Sequence, residues 1–298
     1  MKKYRSLVLP AVIILGLIFH RFCGALAFIS PYLIFAILLL TFCAVDIRKL
    51  KPTLFDLWLV IIQLWLCLGG YFLIMLLSRN RIVAEGVMVG ILCPVASSVA
   101  VISTALGADR QTVTRYTIIG NLAVAFIAPV IFSFMGGHQS LPFIASFRAI
   151  LKKIGSAIAL PFVVALFLQM FLPKVNDGIA RFKELAFYIW ASALLITLGQ
   201  TIDFIFLHGS GQGASIAALA VSSVIVCLLQ FFVGRWLGRR YGDKVAGGQL
   251  LFQKNSAMGI WMANTYLNPL ASVFSACYSI IQNLINSIQM WLHDRNEQ

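Results

Sequence analysis

The sequence predicts an all-α polytopic membrane protein with about ten transmembrane helices. Three observations predict it. Hydrophobic residues make up 60% of the 298 residues, charged residues only 11%, and the mean hydropathy is +0.92; a soluble domain carries about a quarter charged residues. Apolar runs of spanning length recur along the whole chain. The Lys and Arg residues gather in short clusters between those runs, as the flanks of membrane helices do. The net charge of +13 is therefore assigned to membrane flanks, and nucleic-acid binding is set aside.

The spans are taken in order. Residues 6–20 follow the basic start Met1-Lys2-Lys3-Tyr4-Arg5 and imitate a signal peptide, but no small-residue cleavage site follows before Arg21. They are expected to form the first membrane helix. Further spans are expected at 26–45, 54–78, 82–106, 112–136, 154–172, 184–206, 214–238, 245–267 and 269–292, the last two separated by Asn268-Pro269. Phe143 to Lys153 is amphipathic and is expected to lie at the membrane interface ahead of the sixth span. The six cysteines show no CxxC spacing, which indicates thiols in apolar surroundings and no disulfide framework.

Basic residues set the orientation. With the N-terminus in the cytoplasm, the inside set is Lys2, Lys3 and Arg5, then Arg48, Lys49 and Lys51, Arg110 and Arg115, Lys174, Arg181 and Lys183, Arg235, Arg239, Arg240 and Lys244, and Arg295. The outside loops hold far fewer, which favours both termini inside a cell membrane and an even number of spans. Ten spans divide into two five-helix halves, 1–140 and 141–298. An odd repeat length makes such halves inverted in the membrane, a common plan for secondary transporters.

Polar groups at membrane depth are costly and therefore informative. The fourth span is interrupted by Cys93-Pro94-Val95-Ala96-Ser97-Ser98, and a proline there removes a backbone donor. The ninth is interrupted by Gly247-Gly248-Gln249 and Gln253-Lys254-Asn255-Ser256. Broken segments at matching places in two halves point to a transporter's binding site. A kink serving ordinary packing, with Gly86-x-x-x-Gly90 as a close-contact surface, is the plainer account of the fourth span. Lys254 is the charge nearest the middle of any span, so it must face a polar cavity or be neutral. Gln63, Thr117, Asn121, Gln282, Asn283 and Asn286 are further intramembrane amides and hydroxyls; taken singly, each serves packing as readily as binding. Gln200 and Asp203 are expected to be solvated, and the four histidines fall at span ends.

At these motifs the chain resembles the bile acid:sodium symporter family, in its bacterial form. Cys93-Pro94, Ala128-Pro129, Asn255-Ser256 followed by Ile260-Trp261-Met262-Ala263, and Gln282-Asn283 occur in that family's order over essentially the whole chain. The resemblance implies a core of spans 3–5 and 8–10 and a panel of spans 1, 2, 6 and 7. It implies unwound fourth and ninth helices crossing at the midplane, and symport of an organic anion by alternating access. Carried over by position, Asn255 and Asn283 would face substrate, with Ser97 and Ser98 in the crossing motif and Lys254 beside them. Thr117, Asn121 and Gln63 would correspond to sodium ligands, with Gln249 and Gln253 as the remnant of the family's Glu-Gln pair.

The departure is at that pair. In one register Gln249 replaces the glutamate; in the other Leu250 does, and Lys254 replaces the glutamine. Either way a carboxylate that serves sodium is missing and a cation has appeared, which argues against two sodium sites of the usual kind. Lys254 is expected to supply the positive charge that sodium supplies elsewhere. No cofactor or metal is implied, and the expected partners are a small organic anion and the lipid bilayer. Two other readings remain at the level of sequence: an arsenite-type efflux permease using Cys93, and an intramembrane hydrolase using Ser97 or Ser98, for which no membrane histidine offers a base.

Overall fold

The computed structural model describes residues 11–12, 14–47, 51–96, 98–135, 143–182 and 185–296. Residues 11–12 and 14–18 are helical, and the chain continues as α1 (His20–Ala25), a 3-10 turn (Ala27–Ile29) and α2 (Ser30–Cys43). Then come α3 (Leu54–Ser78), α4 (Arg81–Leu92), α5 (Val99–Ala105), α6 (Arg110–Met135), α7 (Phe143–Phe171), α8 (Pro173–Ala180) and α9 (Leu185–His208). The last elements are α10 (Gly213–Arg240), α11 (Lys244–Phe252), α12 (Ser256–Tyr266), a 3-10 turn (Pro269–Ala271) and α13 (Ser272–Asn296). Among the described residues, five helices are long and apolar enough to cross a membrane: Leu54–Ser78, Arg110–Met135, Phe143–Phe171, Tyr188–Leu207 and Gly213–Arg240. Together with the shorter helices they make a polytopic membrane protein.

Local chemistry sets the element ends. α3 begins at a capping box, in which Thr53 and Asp56 each satisfy the other's helix-start donor. Arg115 on α6 closes that start from outside, its Nε lying 2.7 Å from Asp56 Oδ2. Asn80 caps α4 by accepting from the Val83 N–H, and Asp243 caps α11 by accepting from the Ala246 N–H at 2.8 Å.

Three sequence expectations are corrected. Phe143 to Lys153 is not set apart from the sixth span; α7 runs unbroken for 29 residues, since nothing in that stretch interrupts backbone hydrogen bonding and Pro161 falls later. Helix α8 was not foreseen, although Pro173 at its first turn is a helix-start signal. Asp203 is not simply solvated: it lies 2.7 Å from His20 Nδ1, which joins α9 to α1.

The most deeply buried elements are the interrupted ones. Val83 to Leu92 of α4, Ala246 to Phe252 of α11 and Ser256 to Ala263 of α12 are buried residue after residue. Such all-round burial is how a helix reads when other helices, not lipid, surround it. α3, α6, α10 and α13 pack around them, while α1, α2, α7 and α9 form a second layer that meets the first through α7 on α6 and α9 on α12.

Glycine permits the closest approaches. A Cβ on Gly247 would sit 2.3 Å from the Gly234 carbonyl oxygen, so α10 and α11 touch backbone to backbone. A Cβ on Gly90 would meet the Phe274 ring at 2.0 Å. The Gly86-x-x-x-Gly90 surface therefore does serve packing, against α10 through Leu219 and against α13 through Phe274.

Candidate functional site

Between α4 and α5, and between α11 and α12, the helices unwind, and the two breaks meet. Val95 and Lys254 form an antiparallel bridge. The Asn255 N–H donates to the Pro94 carbonyl at 2.8 Å, and the Ala96 N–H donates to the Gln253 carbonyl at 3.1 Å. Each break thus satisfies backbone groups that the other has released from helix, which is what burial demands. The Cys93 thiol adds a bond to the Asn255 carbonyl.

Side chains from the surrounding helices hold the remaining exposed backbone. On one side the Gln63 amide of α3 donates to the Leu92 carbonyl at 3.0 Å, and the Tyr116 hydroxyl of α6 lies 3.4 Å from Gln63 Oε1. On the other, the Gln230 amide of α10 donates to the Leu251 carbonyl at 3.1 Å, and the Tyr278 hydroxyl of α13 lies 2.9 Å from Gln230 Oε1. These arrangements correspond: a glutamine on the preceding helix, steadied by a tyrosine on a later one, grips the last turn before each break.

The correspondence extends to both ends. Glu85, one turn into α4, accepts the Asn268 N–H just beyond α12. Asp243, at the start of α11, accepts the Asp109 N–H just beyond α5. The same separation along the chain carries Leu92 to Leu251, Pro94 to Gln253, Val95 to Lys254 and Asp109 to Asn268.

Gln282 of α13 completes the crossing. Its Oε1 accepts the Lys254 N–H at 2.8 Å, and its Nε2 donates to the Lys254 carbonyl at 3.0 Å and toward Ser256 Oγ at 3.4 Å. The lysine backbone is therefore fully engaged while its side chain is not. Lys254 is 1% exposed, and its Nζ has no hydrogen-bond partner among the described residues. The thiols of Cys93 and Cys67 lie within electrostatic reach of it. None of the ion pairs among the described residues reaches it: Glu85 holds Arg81, Asp56 holds Arg115 and Asp203 holds His20.

The sequence-predicted residues divide accordingly. Lys254, Asn255, Gln253, Ser98 and Gln63 come together at the crossing, with Ser98 Oγ accepting from the Gln253 amide at 2.9 Å. Asn255 Oδ1 also caps α12. Ser97 lies outside the described residues. Gln249 faces α13, where its amide donates to Asn286 Oδ1 at 3.1 Å. Thr117 bonds back to the Val113 carbonyl and Asn121 to the Thr117 carbonyl, both within α6. Asn283 is not joined to the crossing by any of these bonds; its amide returns to the Ser279 carbonyl one turn earlier, and its neighbour Gln282 reaches Lys254 instead.

Sequence reasoning missed Gln230, Tyr116, Tyr278 and Glu85. A lone amide deep in the apolar eighth span was the available signal for Gln230, and an Arg81–Glu85 spacing of four was the signal for Glu85. The carbonyl oxygens of Asn121, Gln249 and Gln253 are buried without donors. Among the described residues, no three His, Cys, Asp or Glu side chains gather as a metal site.

A family model described as the SBF-like CPA transporter family (DUF4137) matches residues 7–285. The chain belongs to this family. It is a family of membrane transporters, not enzymes, and is related to the bile acid:sodium symporter family that the motifs resemble. The match spans both breaks and the residues that grip them, Gln63, Tyr116, Gln230, Tyr278 and Gln282. No curated protein matches the chain closely enough to count as a relative.

Proposed function

We propose that this protein is a secondary active transporter of an organic anion, bile acid-like or a small carboxylate, that works by alternating access, with Lys254 supplying at the crossing the positive charge that sodium supplies in the related symporters. One observation carries the reading: a buried lysine at the crossing of two broken helices, its Nζ without a hydrogen-bond partner among the described residues. An ammonium removed from water without a counter-charge costs several kcal/mol, about the scale of pairing it with an incoming carboxylate. A hard sodium ion beside that ammonium would be repelled, and the glutamate that relatives use is absent.

The architecture behind this reading is two inverted five-helix repeats, 1–140 and 141–298, with both termini cytoplasmic. The paired grips on Leu92 and Leu251, and the reciprocal bonds Glu85–Asn268 and Asp243–Asp109, support the repeat. The second layer of α1, α2, α7 and α9 supports a panel against which the core moves. Cys93 is 1% exposed and its thiol is engaged at the Asn255 carbonyl, so nothing here favours thiol-based metalloid export.

The test is uptake of labelled taurocholate and pyruvate into proteoliposomes, with and without a sodium gradient, for the natural protein and Lys254→Ala. Uptake of one probe without sodium, and its loss in the variant, is expected. Strict sodium dependence with the variant unaffected would overturn the role of Lys254. Failure of every organic anion to be taken up or to stabilise the protein thermally would overturn the substrate class.

A further inference from the structure

The junction of α10, α11 and α13, at the start of α11, gathers hydrogen-bond donors and positive charge. Arg235 of α10 lies across bare Gly248 of α11; a Cβ on that glycine would sit 2.6 Å from Arg235 Cγ. Its guanidinium stands 4.9 Å over the Phe231 ring and donates to Gln289 Oε1 of α13 at 3.4 Å. The Gln289 Nε2 is buried and donates to nothing. Arg239 and Lys244 are close enough to act on the same region: the positive charges of Arg235 and Arg239 push Lys244 below its ordinary value, and no carboxylate among the described residues opposes them. Asp243 is the nearest acid in sequence, and both of its oxygens are engaged, one by the Ala246 N–H and one by the Asp109 N–H. Among the described residues, what remains is a cluster of positive charge and donors with Gln289 Oε1 as its acceptor.

The surroundings say what could fill it. Along α10, Ile225, Leu229, Phe232 and Trp236 recur at helical spacing and are exposed. Along α13, Leu284, Ile288 and Trp291 do the same. Each ridge ends in a tryptophan covered by an arginine one turn on, Arg240 at 4.1 Å over Trp236 and Arg295 at 5.4 Å over Trp291. Tryptophan in such pairs marks the level of the lipid headgroups. The Arg235–Gln289 contact bridges the two helices that carry these ridges, beside that level.

We infer that this junction is a binding site for an acidic phospholipid, its phosphate held by Arg235, Arg239, Lys244 and the Gln289 amide, its acyl chains lying along the α10 and α13 ridges. The lipid phosphate supplies further acceptor oxygens and a negative charge to the junction, while the ridges supply the contact that a free phosphate would not use. Arg235 and Gln289 are set by packing, so the site exists before the lipid arrives. This assignment is independent of the substrate at Lys254.

The experiment is native mass spectrometry of the intact protein released from mixed phosphatidylcholine and phosphatidylglycerol vesicles. Preferential retention of phosphatidylglycerol is expected, and Arg235→Gln or Lys244→Gln should each weaken it about fivefold, as loss of one basic contact to an anionic headgroup does. Gln289→Leu keeps the charge and should also weaken retention, which separates a built site from a diffuse positive surface. Inorganic phosphate should not displace the lipid; displacement would show that the ridges contribute nothing and would overturn the lipid assignment. Equal retention of both lipids, or variants that behave like the natural protein, would overturn the site. Arg148→Gln, on α7, should leave retention unchanged and controls for general loss of charge.

Discussion

Replacing Gln282 by leucine tests whether the crossing is held from α13. In the natural protein this amide accepts the Lys254 N–H at 2.8 Å and donates to the Lys254 carbonyl at 3.0 Å. Leucine has nearly the same volume, so little packing is lost, but a buried N–H and a buried carbonyl lose a partner. Each such group costs about 1–3 kcal/mol when left unsatisfied, giving about 2–6 kcal/mol for the pair. Asn283→Leu is the control, because that amide is half-buried and only returns to its own helix at the Ser279 carbonyl; about 0.5 kcal/mol or less is expected there. Fluorescence-detected thermal unfolding of both variants in one detergent is the assay. Gln282→Leu should lower the midpoint by about 4 °C or more, and Asn283→Leu should barely move it. Equal midpoints for the two variants would refute the claim that Gln282 braces the break.

Three other outcomes are expected. Lys254→Met, which replaces a buried amine lacking a hydrogen-bond partner among the described residues by an apolar chain of similar length, should raise the unfolding midpoint, by about 1–4 kcal/mol of stability, while abolishing anion uptake; a lowered midpoint would show that the amine is satisfied. Gly90→Ala should destabilise by about 1–3 kcal/mol, because its methyl meets the Phe274 ring at 2.0 Å, and Phe274→Leu should recover part of the loss in the double variant. Asp109 is held below its ordinary carboxylate value, first by the hydrogen bonds from Thr112. A depressed folded value adds stability above the unfolded value of about 4 and loses it as pH falls through the folded one. Asp109→Asn should therefore flatten the acid limb of a stability–pH curve, by a small amount since the group is largely exposed.

The fold was legible wherever the chain had to satisfy the bilayer. Apolar length alone located α3, α6, α9 and α10, and Pro94 and the Gly247-Gly248 pair marked the helices that unwind. The extension of α7 through Arg148, Lys152 and Lys153 was not legible, because a charged stretch reads alike on an interfacial helix and on a helix that projects past the membrane. The site was legible as a set of residue types and less so as a set of partners. Lys254 announced itself by charge. Gln282 and Asn283 are adjacent amides, and only the rotation of α13 against the ninth-span break decides which one reaches Lys254. Gln230 and Tyr278 were hidden because a single amide or phenol in an apolar run is indistinguishable from ordinary packing until its acceptor is known. The acid at Glu85 was hidden because its counterpart, the Asn268 N–H, carries no side-chain signature at all.

The bridge at Val95 and Lys254 is written in main-chain atoms. The bonds from Asn255 to Pro94 and from Ala96 to Gln253 use no side chain, so they survive any residue at position 254 that can hold an extended backbone. Architecture and chemistry are thereby uncoupled at the centre of the protein. An acid, an amide or a cation can be presented there without renegotiating how the two helices meet. On the proposed function, a change of charge at this one position alters what is carried while the joint stays the same.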